Sequence, residues 1–220
     1  MLPRIGITVA EYPEYSGVKL REDYFLRVQA AGGLPLLLPP LPAARELTED
    51  LLQTVEGLIV SGGGDYDTRR PGRRDVFELN LLQAAWTRKL PVLGICRGLQ
   101  GLCLALGGEL WPDLRERPEA TLNHDQAADR RRTSHPVHAL PPLDRLYGQE
   151  LLLVNSHHHQ GVRQLPTQLS AAARSPDGLL EAACSAPGQP FAWGVQWHPE
   201  ALAGHECLFQ ALVAAARGNG

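Results

Sequence analysis

The chain has 220 residues, a formal net charge of −3 and 44% hydrophobic residues, which excludes a disordered chain and gives no electrostatic reason for a nucleic-acid partner. That length suits one large domain over residues 1–220, able to bury about 70% of its unfolded surface. No apolar run approaches the ~18 residues that cross a bilayer, the four cysteines show neither metal spacing nor a disulfide framework, and the chain opens on a strand rather than a secretory leader, so a cytoplasmic protein without membrane contact is expected.

Strand-like and helix-like segments alternate through the first half. Ile5 to Val9 reads as a strand, and Leu20 to Ala31 as a helix closed by Gly32-Gly33. A strand at Leu34 to Leu38, a helix over Leu47 to Thr54 and a strand at Gly57 to Val60 follow, the last running into Ser61-Gly-Gly-Gly-Asp65. Arg74 to Lys89 carries Val76, Leu79, Leu82 and Trp86 at helical spacing. Val92 to Ile95 is a short buried strand, and Arg97 to Leu106 has the periodicity of a helix. The alternation predicts an α/β fold, a mostly parallel sheet with helices on both faces and ligands at the carboxyl ends of its strands.

Arg115 to Arg132 is polar, rich in arginine and weakly patterned, and is read as a plain solvated connector. Beyond it, short apolar segments recur at Val137 to Leu140, Leu151 to Val154, Leu169 to Ala173, Leu179 to Cys184 and Phe191 to Trp197. Turn signals such as Pro176-Asp-Gly178 separate them, as antiparallel strands extending one sheet edge require. Ala201 to Ala216 closes the chain as a helix.

Three stretches carry chemistry. Cys96 stands where a strand turns sharply into a helix, with Gly94 and Gly98 on either side: the layout of a nucleophile elbow, with the helix dipole favouring a thiolate. A buried core cysteine is the plain alternative. In His198-Pro-Glu200, an extended backbone points residues 198 and 200 the same way, so the carboxylate can fix the imidazole that serves the thiol. Ser61-Gly-Gly-Gly-Asp65 can turn backbone N–H groups into a cleft; Gly63 or Gly64 with the Arg97 amide would form a two-donor oxyanion hole. A phosphate loop is the rival, without the Lys-Ser/Thr it needs. Finally, Asn155-Ser-His-His-His-Gln160 packs three histidines together. Contiguous residues alternate in direction, and no acidic or cysteine partner lies near in the sequence. Substrate contact is therefore expected, with no metal and no cofactor.

These motifs together resemble the class I glutamine amidotransferase-like superfamily, and within it the γ-glutamyl-γ-aminobutyrate hydrolase family, over nearly the whole length. The superfamily signature is matched by Gly94, Cys96, Gly98 and Gln100 with the later His198-Pro199-Glu200; the narrower family by Arg97, Gly62 to Asp65, Arg74-Asp75 with Glu78, Asn155-Ser156, His158 to Gln160, Asp177-Gly178 and Glu181-Ala182. The resemblance implies a flavodoxin-like sheet and hydrolysis of a γ-glutamyl amide through a thioester on Cys96, in polyamine or related amine breakdown. It also implies that Gln100, Asn155, Ser156, His157 and His158 help to hold the glutamyl group. Arg97 and Arg74 could face a substrate carboxylate, or form a structural salt bridge with Asp75 or Glu78. A homodimer is consistent with the family. The stretch after Asp65 is short, His157 replaces an apolar residue, and Pro112-Asp113 departs from the pattern, all on the amine side of the site. Two other readings stay open: a glutaminase subunit feeding ammonia to a partner synthetase, and a non-catalytic binding protein on the same fold.

Overall fold

The computed structural model describes residues 1–42, 45–119, 121–127 and 129–218. In chain order its elements are β1 (Arg4–Thr8), the ribbon β2 (Ala10–Tyr12) and β3 (Gly17–Lys19), α1 (Glu22–Ala30), β4 (Leu34–Leu38), α2 (Arg45–Gln53), β5 (Gly57–Val60), α3 (Arg73–Thr87), β6 (Val92–Ile95) and α4 (Arg97–Ala105). The second half adds β7 (Glu109–Trp111), β8 (His135–Ala139), α5 (Leu143–Tyr147), β9 (Leu151–Val154), β10 (Gly161–Gln164), β11 (Leu169–Arg174), β12 (Leu180–Ser185), β13 (Ala192–Val195) and α6 (Cys207–Arg217).

Nine strands form one sheet in the order β4-β1-β5-β6-β13-β12-β11-β8-β9. The first five are mutually parallel, and the remaining four add on antiparallel. Helices on both faces explain why the central strands are continuous apolar runs rather than alternating ones. Ile59, Leu93 and Ile95 pack with Val28 of α1 and Leu212 and Val213 of α6, whereas Leu58, Val60 and Val92 pack with Leu81 of α3 and Leu99 of α4. The carboxyl ends of β5, β6 and β13 thereby come together, and the three chemistry-bearing stretches meet there. Among the described residues no helix is long and apolar enough to cross a membrane.

The β6–α4 junction depends on two absent side chains. A Cβ on Gly94 would lie 2.4 Å from the carbonyl oxygen of Gly98, and one on Gly98 would lie 2.0 Å from that of Val60. The first turn of α4 thus rests directly on the backbone of β5 and β6.

Three expectations are corrected. The last helix starts at Cys207, not Ala201, because a short 3-10 turn over Pro199–Ala201 and Gly204 at φ +83° interrupt the path. The ribbons β2–β3 and β7–β10 and the short α5 went unread, being too brief for a periodic signal. Arg115 to Arg132, of which residues 120 and 128 lie outside the described residues, is more than a solvated connector. It buries His124 at 3% exposure and bridges Asp125 to His157.

Gly98→Ala tests the junction. The methyl would meet a backbone carbonyl, which cannot swing aside as a side chain can, so a loss of about 3 kcal/mol or more is expected from overpacking at an immovable site. The midpoint of urea unfolding measures it; an unchanged midpoint would refute the contact.

Candidate active site

Cys96 occupies the turn between β6 and α4 at φ 53° and ψ −104°. A residue with a Cβ adopts such angles at a cost of about 1–3 kcal/mol, held by its surroundings. Here the Cys96 N–H donates to the Val195 carbonyl of β13 at 2.7 Å, and the Cys96 carbonyl accepts from the Gln100 N–H at 3.3 Å. The side chain of Gln196, just past β13, donates through Nε2 to the Cys96 sulfur at 3.5 Å.

Two residues on, His198 is fully buried, with Nδ1 2.7 Å from Glu200 Oε1. The other ring nitrogen, Nε2, is buried without a hydrogen-bond partner among the described residues, and the ring and Cys96 lie side by side against Gly62. Burial alone would lower the pKa of His198, but the Glu200 carboxylate and the charge of Cys96 outweigh it and lift it to about 9. Burial works equally against the Glu200 carboxylate, and the His198 imidazolium overcomes it, leaving the Glu200 pKa below its ordinary value. An imidazole held this way keeps one orientation and can exchange a proton with the sulfur. Asn155 fixes the same histidine from behind. Its Oδ1 accepts the His198 N–H at 2.8 Å and its Nδ2 donates to the His198 carbonyl at 3.1 Å.

The glycine loop closes the other side. A Cβ on Gly62 would fall 2.6 Å from His198 Cε1 and 3.3 Å from Cys96 Cβ, so only glycine admits the imidazole. The Arg74 guanidinium donates to the carbonyls of Ser61, Gly62 and Gly63, at 3.2, 3.2 and 2.7 Å. In a planar trans peptide the N–H opposes the C=O. Gripping those carbonyls therefore turns the N–H groups of Gly62, Gly63 and Gly64 away from Arg74. Gly62 donates its N–H to the Tyr24 hydroxyl at 2.9 Å, while Gly63 (φ +99°) and Gly64 (φ +72°) have open space where a Cβ would be.

Arg97 and Arg74 border a cavity of about 510 Å³, but their guanidiniums are tied to carboxylates and backbone carbonyls. Arg97, 2% exposed, donates to Glu78 Oε2 at 2.8 Å, pairs with Asp75, and lies 3.7 Å over the Tyr66 ring. Arg74 donates to Glu78 Oε1 at 2.8 Å. The structural salt bridge is thus what forms, and the idea that these side chains face a substrate carboxylate gives way. The Arg97 backbone amide remains at the first position of α4.

The other expected contact residues divide by direction. Gln100 is internal, its Nε2 donating to the Gln160 carbonyl at 3.0 Å and to Gln196 Oε1 at 3.2 Å, so it orients the amide that meets the Cys96 sulfur. His157, half-buried, faces His198 with ring centroids 6.2 Å apart. Ser156 and His158 point to the opposite side, into a cluster with His124. Four neighbours went unassigned in the sequence reading: Gln196, Tyr24, Lys19 and Arg130. Gln196 lies in the recognisable Gly194-Val-Gln-Trp-His198 run, but Lys19 and Arg130 sit in segments without periodicity. They line two adjoining cavities of about 410 and 510 Å³ that run along Gly63.

Two measurements probe this geometry. Gly62→Ala should lower kcat at least about a hundredfold, since slight misplacement of reacting groups costs that much, while the folded protein survives with unchanged far-UV circular dichroism. A pKa raised in the folded state adds stability that is complete below about 6.5 and is lost as pH climbs through about 9. His198 should therefore contribute roughly 3 kcal/mol at pH 6 that is gone by pH 10. His198→Gln should remove that part of the pH dependence in denaturant titrations.

Comparison with known proteins places the chain. The peptidase C26 family pattern matches residues 4–200. A provisionally assigned glutamine amidotransferase of Mycobacterium tuberculosis is 39% identical over 239 residues, covering 98% of this chain and 75% of that protein. The γ-glutamyl-γ-aminobutyrate hydrolase PuuD of Escherichia coli is 37% identical over 207 residues, covering 82% of this chain and 78% of that one. Among solved structures, a provisionally assigned GMP synthase component of Thermoplasma acidophilum superposes with a TM-score of 0.69 at 16% identity, covering 99% of this chain and 97% of the other, a likeness of fold alone. The chain belongs to the peptidase C26 family of class I glutamine amidotransferase-like hydrolases.

Proposed function

We propose that the protein hydrolyses γ-glutamyl amides through a γ-glutamyl thioester on Cys96. The observation that carries this reading is the buried His198–Glu200 pair beside Cys96, set against a glycine loop whose carbonyls are held away by Arg74. The Cys96 sulfur attacks the amide carbon, and the oxygen takes up negative charge. N–H donors from Gly63 or Gly64 and from Arg97 stabilise that oxyanion, each by roughly 3 kcal/mol. The imidazolium of His198 protonates the leaving amine as the C–N bond breaks. It then accepts a proton from water, which attacks the thioester and frees glutamate and the thiol. Glu200 keeps the ring in one tautomer throughout.

For the leaving group, Lys19, Arg21 and Arg130 around the cavity of about 410 Å³ favour an amine that bears a carboxylate, such as γ-aminobutyrate. The 37% identity to a γ-glutamyl-γ-aminobutyrate hydrolase supports the same choice. The Mycobacterium tuberculosis relative supports a second reading, a glutaminase that passes ammonia to a separate synthetase.

Glutamate release from γ-glutamyl-γ-aminobutyrate, γ-glutamylputrescine and glutamine, with Cys96→Ala as the control, decides between them. The expected result is Cys96-dependent turnover fastest on γ-glutamyl-γ-aminobutyrate. Turnover of glutamine alone would favour the second reading, and adduct-free Cys96 after treatment with a thiol-reactive glutamine analogue would favour a non-catalytic protein. Arg130→Ala should raise KM about tenfold for γ-glutamyl-γ-aminobutyrate, the equivalent of one lost ionic contact, and leave the cationic γ-glutamylputrescine unaffected.

A further inference from the structure

Behind the active site lies a second constellation that this chemistry does not use. Glu181 of β12 is wholly buried, and among the described residues neither of its carboxylate oxygens has a hydrogen-bond donor. An isolated buried carboxylate is among the most costly groups a protein can hold. Three histidine nitrogens converge on its Oε1: His124 Nδ1 at 3.3 Å, His135 Nε2 at 3.8 Å and His158 Nε2 at 3.8 Å. All three rings are buried.

The outward nitrogen of each ring is already engaged. His124 Nε2 is 3.2 Å from Asp177 Oδ2, His135 Nδ1 is 3.1 Å from the Pro136 carbonyl, and His158 Nδ1 is 3.0 Å from the Gln160 carbonyl. Every one of these outer partners is an acceptor, so the ring proton belongs on the outer side. The inner nitrogens then present lone pairs to one another and to the carboxylate. The Ser156 hydroxyl, which donates to the His124 carbonyl at 2.8 Å, adds a further lone pair 3.1 Å from His158 Nε2. Such a convergence of lone pairs calls for a cation at its centre, either a metal ion or a proton on His124, where burial lowers the pKa but Glu181 and Asp177 raise it above its ordinary value.

Outer acceptors that orient histidine rings are what a metal site requires around its ligands. A tetrahedron of ligands about 2.0–2.1 Å from zinc has edges of about 3.3 Å, which the separation of His124 from Glu181 meets at 3.3 Å and that of His158 from Glu181 approaches at 3.8 Å. Two histidine nitrogens and one carboxylate oxygen, all within 4.8 Å of one another, are a three-residue set that suits zinc and leaves a fourth position open. A cavity of about 660 Å³, lined by His124, His158 and His159, gives an ion its route inward.

We propose that His124, His158 and Glu181 bind one zinc ion, with a fourth position left to water and His135 packed beside the carboxylate. The expectation of no metal here rested on the lack of an acidic partner near the histidine run. Glu181 supplies it from 23 residues beyond His158, brought in by the β12 strand. The ion would tie the loop around His124 and the 155–158 segment to the sheet, directly behind the side chains that hold His198.

The test uses tag-free full-length Cys96→Ala protein, so that the nucleophile cannot bind the metal. Its zinc content is measured as purified, and the chelator-stripped protein is titrated with Zn²⁺ and Co²⁺. One equivalent of zinc, intense visible bands of tetrahedral Co²⁺, and a rise in Tm of roughly 5–10 °C on reloading are expected. Glu181→Gln and His158→Gln should each abolish stoichiometric binding. Absence of bound metal with the same Tm in zinc and in chelator would overturn the proposal, and would leave His124 as an imidazolium between Asp177 and Glu181. Undiminished binding by both variants would also overturn it. If the variants do not fold, the Co²⁺ spectrum of the parent decides: ligand-field bands alone support the site, and a sulfur charge-transfer band refutes it.

Discussion

A carboxylate with no access to water anchors the catalytic half of the molecule. Glu78 of α3 accepts from the Thr8 hydroxyl at 2.9 Å, from Arg74 and Arg97 at 2.8 Å each, and from the Tyr66 hydroxyl at 3.0 Å. A buried charge is tolerable only when its acceptor positions are filled, and four donors from four parts of the chain fill these. Each donor is itself in use elsewhere. Arg74 grips the glycine-loop carbonyls, and Arg97 begins the helix that follows Cys96. Thr8 Oγ1 accepts the Ser61 N–H at 3.0 Å. Removing the carboxylate would leave two buried guanidiniums short of a counter-charge and would loosen the loop and the elbow at once.

What could be read from the residues, and what could not, follows from how far each signal travels along the chain. The parallel strands and their helices carry periodic patterns of four or more residues, and the elbow announces itself through Gly94 and Gly98 because the required absence of side chains is local. His198 and Glu200 are likewise two positions apart in an extended segment. Contacts assembled across the sheet leave no such trace. The burial of Arg97 depends on Asp75, Glu78 and Tyr66, between 19 and 31 positions away, and nothing in its neighbourhood distinguishes a salt bridge from a substrate clamp. Gln100 looked like a substrate contact for the same reason. Its partner, Gln196, lies 96 residues on.

The 155–158 segment shows how one strand end serves two faces. Asn155 and His157 turn toward His198, and Ser156 and His158 turn away, as the two-residue alternation of extended backbone demands. Contiguous histidines thus have unrelated surroundings: burial, Arg130 and His198 lower the pKa of His157, whereas burial and the neighbouring His124 lower that of His158 much further. The loop before β8 binds along the same segment, its His124 carbonyl accepting the His158 N–H at 3.0 Å and its Gln126 N–H donating to the Ser156 carbonyl at 3.2 Å. A stretch with little pattern of its own is ordered by a neighbour that has one.

The backbone at Cys96 has a bearing on the history such a protein can have. The residue sits at φ 53°, where a side chain is a burden and glycine would be at ease. A lineage released from the need for a thiol would gain stability from the simplest change at this position, losing the nucleophile as it did so. Selection for a working cysteine and selection for a robust fold therefore pull against each other at a single torsion angle. A descendant that had abandoned chemistry could be recognised from glycine at that one site, even with the rest of the sheet intact.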